Sequence, residues 1–317
     1  MDRKNNNKTQ SRRKFIQMTT LGSFGIFGGV SLFAKKALGA SSKKHTVVIG
    51  AITYSFRSLP DGIDNIIKYC NQTGIKAIEL MGGAAEEFAG KPAPNKEETQ
   101  ENYKARVRSW RETISFDKFI ECRKRLADGG ITVYAFKPDA LNDSNSDGEI
   151  EYAYKAGKAL GAGSVTVELP RDPNHSLRLG RLAEKNKIFV GYHAHTQATD
   201  TAWDLALSQS PNNSINLDCG HYIAAGGNNT RETLLAFIQQ KHQRITSIHL
   251  KDRLSKEHGG ENMPWGQGDT PIREIITLVK EKNYPIPMSI ELEYNIPANS
   301  DALTEVKKCL EFANQYV

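Results

Sequence analysis

One alternation constrains this chain more than any other feature. From residue 46 onward a short β-branched run is followed by a longer polar stretch with helical spacing, and the pair recurs eight times. The runs are "TVVIGAITY" (46–54), "KAIELMG" (76–82), "ITVYAFK" (131–137), "SVTVEL" (164–169), "KIFVGYHAH" (187–195), "SINLDCG" (214–220), "ITSIHLKD" (245–252) and "PMSIELEY" (287–294). Stretches such as "DGIDNIIKYCNQTG" and "PIREIITLVKEKN" lie between them. Several close on Gly or Asn, residues that end helices in left-handed backbone. Near-continuous apolar runs suit parallel strands buried on both faces. Eight β/α units in about 270 residues are what a closed (β/α)8 barrel requires. An open doubly wound sheet would carry a Gly-rich turn after its first strand, and "AITYSFRS" stands there instead. Residues 83–115, charged and holding two prolines, break the rhythm. They read as an enlarged loop and helix overhanging the barrel mouth. No low-complexity linker divides the body, so residues 41–317 read as one α/β domain.

The first forty residues belong to a different pattern. A basic start precedes "SRRKFIQ", then the apolar, Gly-rich "TTLGSFGIFGGVSLFA", then "KKALGA". This resembles a twin-arginine export signal with Arg12 and Arg13 as the pair. It predicts removal of residues 1–40 and a periplasmic location. The apolar run is short and diluted by Gly, Ser and Thr, which argues against a stable membrane span. The formal net charge of +6 is concentrated here: residues 1–40 carry eight Lys and Arg against one Asp, leaving −1 for the rest. A near-neutral body gives no electrostatic footing for nucleic acid. Cys70, Cys122, Cys219 and Cys309 are scattered without a CxxC pair, so no disulfide or thiolate metal site is demanded.

In (β/α)8 barrels the working residues come from the C-terminal ends of the strands. Here those ends carry Glu79, Lys137, Glu168, His193, His195, Asp218, His221, His249, Lys251, Asp252, Glu291 and Glu293. Side chains two apart on a strand share a face, so His193 and His195 of "YHAHT" aim together. Mixed carboxylate and imidazole donors suit a divalent ion, with Mn²⁺ or Co²⁺ ahead of Mg²⁺, Fe²⁺ and Zn²⁺. Asp218, His249 and Glu291 come from three successive strands and form the core of a ligand set. Glu168 is favoured as the fourth ligand over His193. Cys219, next to Asp218, points the other way and reads as core.

"GYHAHT", "LDCGHY", "SIHLKDR", "PWGQGD" and "SIELE" resemble the xylose-isomerase-like barrel group of sugar epimerases, isomerases and inosose dehydratases. The "YHxH" run with its following threonine is most similar to the inosose dehydratase branch; epimerases of the group more often carry Glu in place of His193. The resemblance implies that Asp218, His249 and Glu291 bind a divalent metal and that His221 contacts substrate.

A divalent ion chelated by a carbonyl and an adjacent hydroxyl acts as a Lewis acid and stabilises the enediolate left by C–H deprotonation. An imidazole is suited to take that proton, with His195 first and His193 second. Lys251 is positioned in sequence to donate to a substrate oxygen or a leaving hydroxyl, or to form a structural ion pair. Lys137 and His221 are expected to bind substrate. Trp265, in a Gly-rich loop, is expected to stack on a sugar face, and Trp203 either does the same or fills a helix core. The leading expectation is a metal-dependent keto-sugar hydro-lyase, such as a 3-keto-glucal hydratase. Epimerisation or isomerisation of a keto-sugar or 3-keto-glycoside is the alternative, and a non-catalytic exported sugar-binding protein is the alternative of another class. The expected partner is a small keto-sugar or glycoside, with self-association left open. An apurinic-site endonuclease would need a larger His/Glu cluster and a basic face.

Overall fold

A computed structural model describes residues 45–317. The export-signal expectation for residues 1–40 lies outside them. Eight parallel strands close into a barrel in the order β1 (Ile49–Ile52), β2 (Ala77–Met81), β3 (Thr132–Lys137), β4 (Ser164–Glu168), β5 (Phe189–His193), β6 (Asn213–Asp218), β7 (Ile245–Leu250) and β10 (Met288–Ile290), which pairs back with β1. A two-stranded antiparallel hairpin, β8 (Asp252–Arg253) and β9 (Asn262–Met263), stands on the loop after β7. The (β/α)8 expectation therefore holds, with shorter strands than the apolar runs suggested. The first run ends early because Thr53–Phe56 winds into a 3₁₀ turn. The fifth stops at His193, and the last stops before Glu291.

The helices are α1 (Ile63–Thr73), α2 (Gly82–Phe88), α3 (Gln100–Thr113), α4 (Asp117–Asp128), α5 (Asp147–Leu160), α6 (Pro173–Asn186), α7 (Asp204–Gln209), α8 (Cys219–Ala225), α9 (Arg231–Lys241), α10 (Ile272–Glu281) and α11 (Ala302–Asn314). Their ends follow local chemistry. Ser146 and Glu149 form a reciprocal capping box at the start of α5, and Gly161 closes that helix at φ 86°. The irregular segment after β2 supplies two helices, α2 and α3. Arg111 of α3 reaches Glu86 at 3.0 Å and Glu149 at 3.2 Å, docking α3 where α5 begins, on the mouth side of the barrel.

The strands alternate in a way that decides the site. Ile78, Leu80, Val165, Tyr192, Ile215, Leu217, Ile248 and Leu250 are buried apolar side chains of the core. Between them sit Glu79, Thr166, His193, Asn216, Asp218 and His249, also buried and polar. Successive strand side chains face opposite ways, so the apolar set packs under the helices and the polar set fills the barrel interior. Buried polar groups must find partners or cost free energy, and these bond to one another across the interior. All four cysteines are buried and unpaired, Cys219 among them in the core. Trp203 is buried too, and its Nε1–H donates to the Tyr192 carbonyl at 2.8 Å, so it is a core side chain that props the end of β5.

Candidate active site at the barrel mouth

Register brings the functional side chains together. Asp218 on β6 pairs with His249 on β7, and Glu168 on β4 pairs with His193 on β5. One ligand atom each from His193, Asp218 and His249 lies within 4.8 Å of the others, and all three residues are buried. Glu291 joins them: its Oε2 is 3.1 Å from His249 Nδ1, which in turn is 4.0 Å from Asp218 Oδ2.

Each of these groups is aimed by a partner behind it. His193 Nδ1 donates to Asn216 Oδ1 at 2.7 Å, which leaves its Nε2 lone pair facing the mouth. His249 Nε2 donates to Glu79 Oε2 at 2.8 Å, which leaves Nδ1 toward Glu291 and Asp218. Glu79 is itself fixed by the Thr166 hydroxyl, which donates to Oε1 at 2.6 Å. Asp218 Oδ1 accepts the His221 backbone N–H at 2.6 Å, because Asp218 caps α8. Its other oxygen, Oδ2, is buried and accepts no hydrogen bond. The Lys251 ammonium is 3.1 Å from that oxygen, near enough to pair by charge but not aligned to donate. An orphaned buried carboxylate oxygen beside two oriented imidazoles and a second carboxylate fits a divalent cation, with His193, Asp218, His249 and Glu291 as the donors.

The electrostatics agree with that donor set. Burial pushes the His193 pKa down to about 3, so its imidazole is neutral. Burial also opposes charge on His249, but the Glu79 and Glu291 carboxylates outweigh it and raise that group to about 10. Burial drives the Asp218 carboxyl up to about 7 against the pull of Lys251, with the neighbouring Glu291 adding to the rise. A divalent ion bound there would displace the proton that the Glu79 and Glu291 carboxylates hold on His249.

Glu168, expected as the fourth ligand, is held elsewhere. Its Oε1 accepts from Lys137 Nζ at 2.9 Å and its Oε2 lies 3.3 Å from His195 Nε2, while its side chain remains half-exposed at the rim. The structure gathers His193, not Glu168, with Asp218 and His249. Lys137 accordingly pairs with Glu168. His195 lies just beyond β5, exposed, with its ring 5.0 Å from that of His193 and stacked on His221 at 4.6 Å. Burial and the Lys251 charge lower the His221 pKa strongly.

Lys251 is almost fully buried and touches Asp218, Glu291 at 2.8 Å and Glu293 at 2.6 Å. Burial resists its charge, yet those three carboxylates hold its pKa above the ordinary lysine value. Its stem passes over Gly220, where a Cβ would fall 2.8 Å from the Lys251 carbonyl oxygen and closer still to Cγ. Arg253 Nη1 lies 2.6 Å from His221 Nδ1 and its guanidinium also bonds the Gly260 carbonyl, tying the β8–β9 hairpin to the site. Trp265 does not meet the imidazole cluster; its ring contact is with Phe312 of α11, edge-on at 5.9 Å. Sequence reasoning missed the supporting roles of Glu79, Asn216 and Arg253. Glu79 alone had a signal, a carboxylate inside an apolar run.

A closed parallel barrel that gathers imidazoles and carboxylates from successive strand ends defines a class of barrel proteins with a polar, cation-ready mouth. Within that class the chain belongs to the xylose isomerase-like TIM barrel family, whose pattern matches residues 107–314. Solved structures with the same fold include a probable 3-DHS dehydratase of petrobactin synthesis from Bacillus anthracis, at 17% identity and TM-score 0.62, covering 85% of this chain and 99% of that one. A 3-keto-D-glucoside 4-epimerase from E. coli aligns at 13% identity and TM-score 0.59, covering 85% and 100%. An uncharacterized protein from Parabacteroides distasonis aligns at 23% identity and TM-score 0.55, covering 85% and 98%. Comparison with curated sequences finds no significant match.

Proposed function

We propose that this protein is a metal-dependent hydro-lyase acting on a keto-sugar, with epimerisation of a keto-glycoside as the second reading. The observation that carries it is one juxtaposition. A buried donor set with an orphaned oxygen, Asp218 Oδ2, lies beside an exposed imidazole–carboxylate pair, His195 and Glu168. His193, Asp218, His249 and Glu291 would hold the ion. A divalent ion held there would supply Lewis acidity toward a substrate ketone.

This chain's own groups do the rest. Glu168 faces His195 Nε2 and thereby leaves Nδ1 to exchange a proton with the carbon next to the ketone. Lys137 anchors Glu168, so the pair keeps its direction. Lys251, permanently charged among three carboxylates, hydrogen-bonds the substrate hydroxyl oxygen that leaves or enters and is not a base; the proton that His195 takes from carbon departs with that oxygen as water. His221, neutral and stacked on His195, fixes a substrate hydroxyl. The epimerisation reading requires His193, whose ring lies 5.0 Å from that of His195, to carry a proton instead of holding the ion. The dehydratase and epimerase names among the structural neighbours support both chemistries. Export guided by Arg12 and Arg13 would bring the site to free sugars and glycosides outside the cytoplasm, and fractionation of expressing cells tests it.

The deciding experiment is metal analysis of the purified protein, then proton NMR in D₂O with 3-keto-glucosides and their glycals. Gain or loss of an olefinic proton marks a hydro-lyase. Deuterium entering a substrate with no olefin formed marks an epimerase. No change with any keto-sugar sinks the enzymatic reading and leaves sugar binding alone.

A further inference from the structure

A concavity of about 310 Å³ lies by the C-terminal ends of β1 and β2. Tyr54 and Phe56, from the turn after β1, form its aromatic wall, with Arg57, Met81, Asp61 and Asp139 around them. Tyr54 is exposed, and the Arg57 guanidinium lies 4.4 Å from its ring centre on one face. Arg57 Nη1 also donates to the Leu292 carbonyl at 2.6 Å, and the Ser55 hydroxyl bridges the Ile290 carbonyl and the Leu292 N–H at 3.0 Å each. Leu292 stands between Glu291 and Glu293, so this wall is bolted to the segment after β10 that carries both carboxylates. At the far edge Asp139 follows β3, two residues beyond Lys137.

The chemistry of the lining defines the guest. An aromatic ring with one face covered by a guanidinium leaves its other side for flat apolar contact, such as the C–H face of a pyranose. Asp61 and Asp139 are acceptors for hydroxyl groups, and two carboxylates against one guanidinium disfavour a phosphate or sulfate. The volume, at the low end for ligand pockets, suits one ring.

We propose that this concavity is a subsite for the second, uncharged hexose of a disaccharide whose ketone-bearing ring lies at the candidate metal centre; the proposal rests on the keto-sugar reading above. The test is calorimetric titration of the metal-loaded protein with maltose, cellobiose, gentiobiose and trehalose, against methyl glucosides. At least one disaccharide should bind about tenfold more tightly than the methyl glucosides, and Tyr54→Ala should erase most of that advantage. Asp139→Asn, at an exposed position, reads the same advantage should Tyr54→Ala fail to fold. Equal binding of one-ring and two-ring sugars, or an advantage that survives both substitutions, overturns the subsite. A disaccharide preference without turnover of any keto-sugar would keep the subsite and remove the hydro-lyase reading. Turnover without the preference would do the opposite.

Discussion

His249 Nε2 and Glu79 Oε2 lie 2.8 Å apart, joining an imidazole of β7 to a carboxylate of β2 across the barrel interior. The contact decides which ring nitrogen faces the mouth. With Nε2 committed to Glu79, Nδ1 is the nitrogen left beside Glu291 and Asp218. A carboxylate behind a ligating histidine fixes its tautomer and raises its basicity.

Glu79→Gln should therefore weaken metal binding without removing any donor. A loss of about 10–100-fold in affinity is the expected size for a partner of this kind. Chelator competition followed by metal analysis measures it. An affinity equal to wild type would mean that Glu79 only fills the interior.

Trp203 supports the same site from outside the barrel. It is buried, and its indole N–H holds the Tyr192 carbonyl, one residue before His193. Trp203→Ala should cost about 3–5 kcal/mol through the cavity left behind. Urea unfolding checks this, and a cost under about 1 kcal/mol would show that the site collapses around the gap.

The fold was legible because its signal is periodic. Eight runs with intervening amphipathic stretches leave few topologies, and they place His193, Asp218 and His249 at or next to strand ends. The supporting contacts were not legible. Glu79 meets His249 across 170 positions of sequence, and nothing local announces that pairing. Glu168 shows a related limit: ending a strand does not say which way a carboxylate turns, and Lys137 with His195 turns it to the rim. Trp265 reads as a sugar platform in its Gly-rich loop, and its edge-on contact with Phe312, 47 positions later, could not be read from that loop.

Acid should unlock α3 from α5. Glu149 meets Arg111 at 3.2 Å and Arg108 at 3.3 Å. Burial alone would raise its pKa, but hydrogen bonds from Asn145 and Ser146 and the Arg111 charge bring it below the ordinary value of 4.5. A depressed carboxylate contributes stability above its unfolded pKa and loses it as pH falls through the folded one. Wild type should thus exceed Glu149→Gln in Tm at neutral pH, with the gap closing below about pH 4. A gap that is flat with pH would show that the ion pairs do not carry it.

His193 and Glu168 separate two ways of building the centre. If His193 is the fourth donor, His193→Ala should lower metal affinity by at least tenfold, because an oriented neutral nitrogen disappears from a four-donor set. Glu168→Gln should leave the bound metal in place, since its carboxylate is engaged by Lys137 and His195. The same substitution removes the charge that directs His195, so kcat on a keto-sugar should fall by about 10²-fold while metal content holds. Metal analysis and turnover on the two variants read this directly. Metal lost from Glu168→Gln and kept by His193→Ala would return Glu168 to the donor set and leave His193 as the proton carrier.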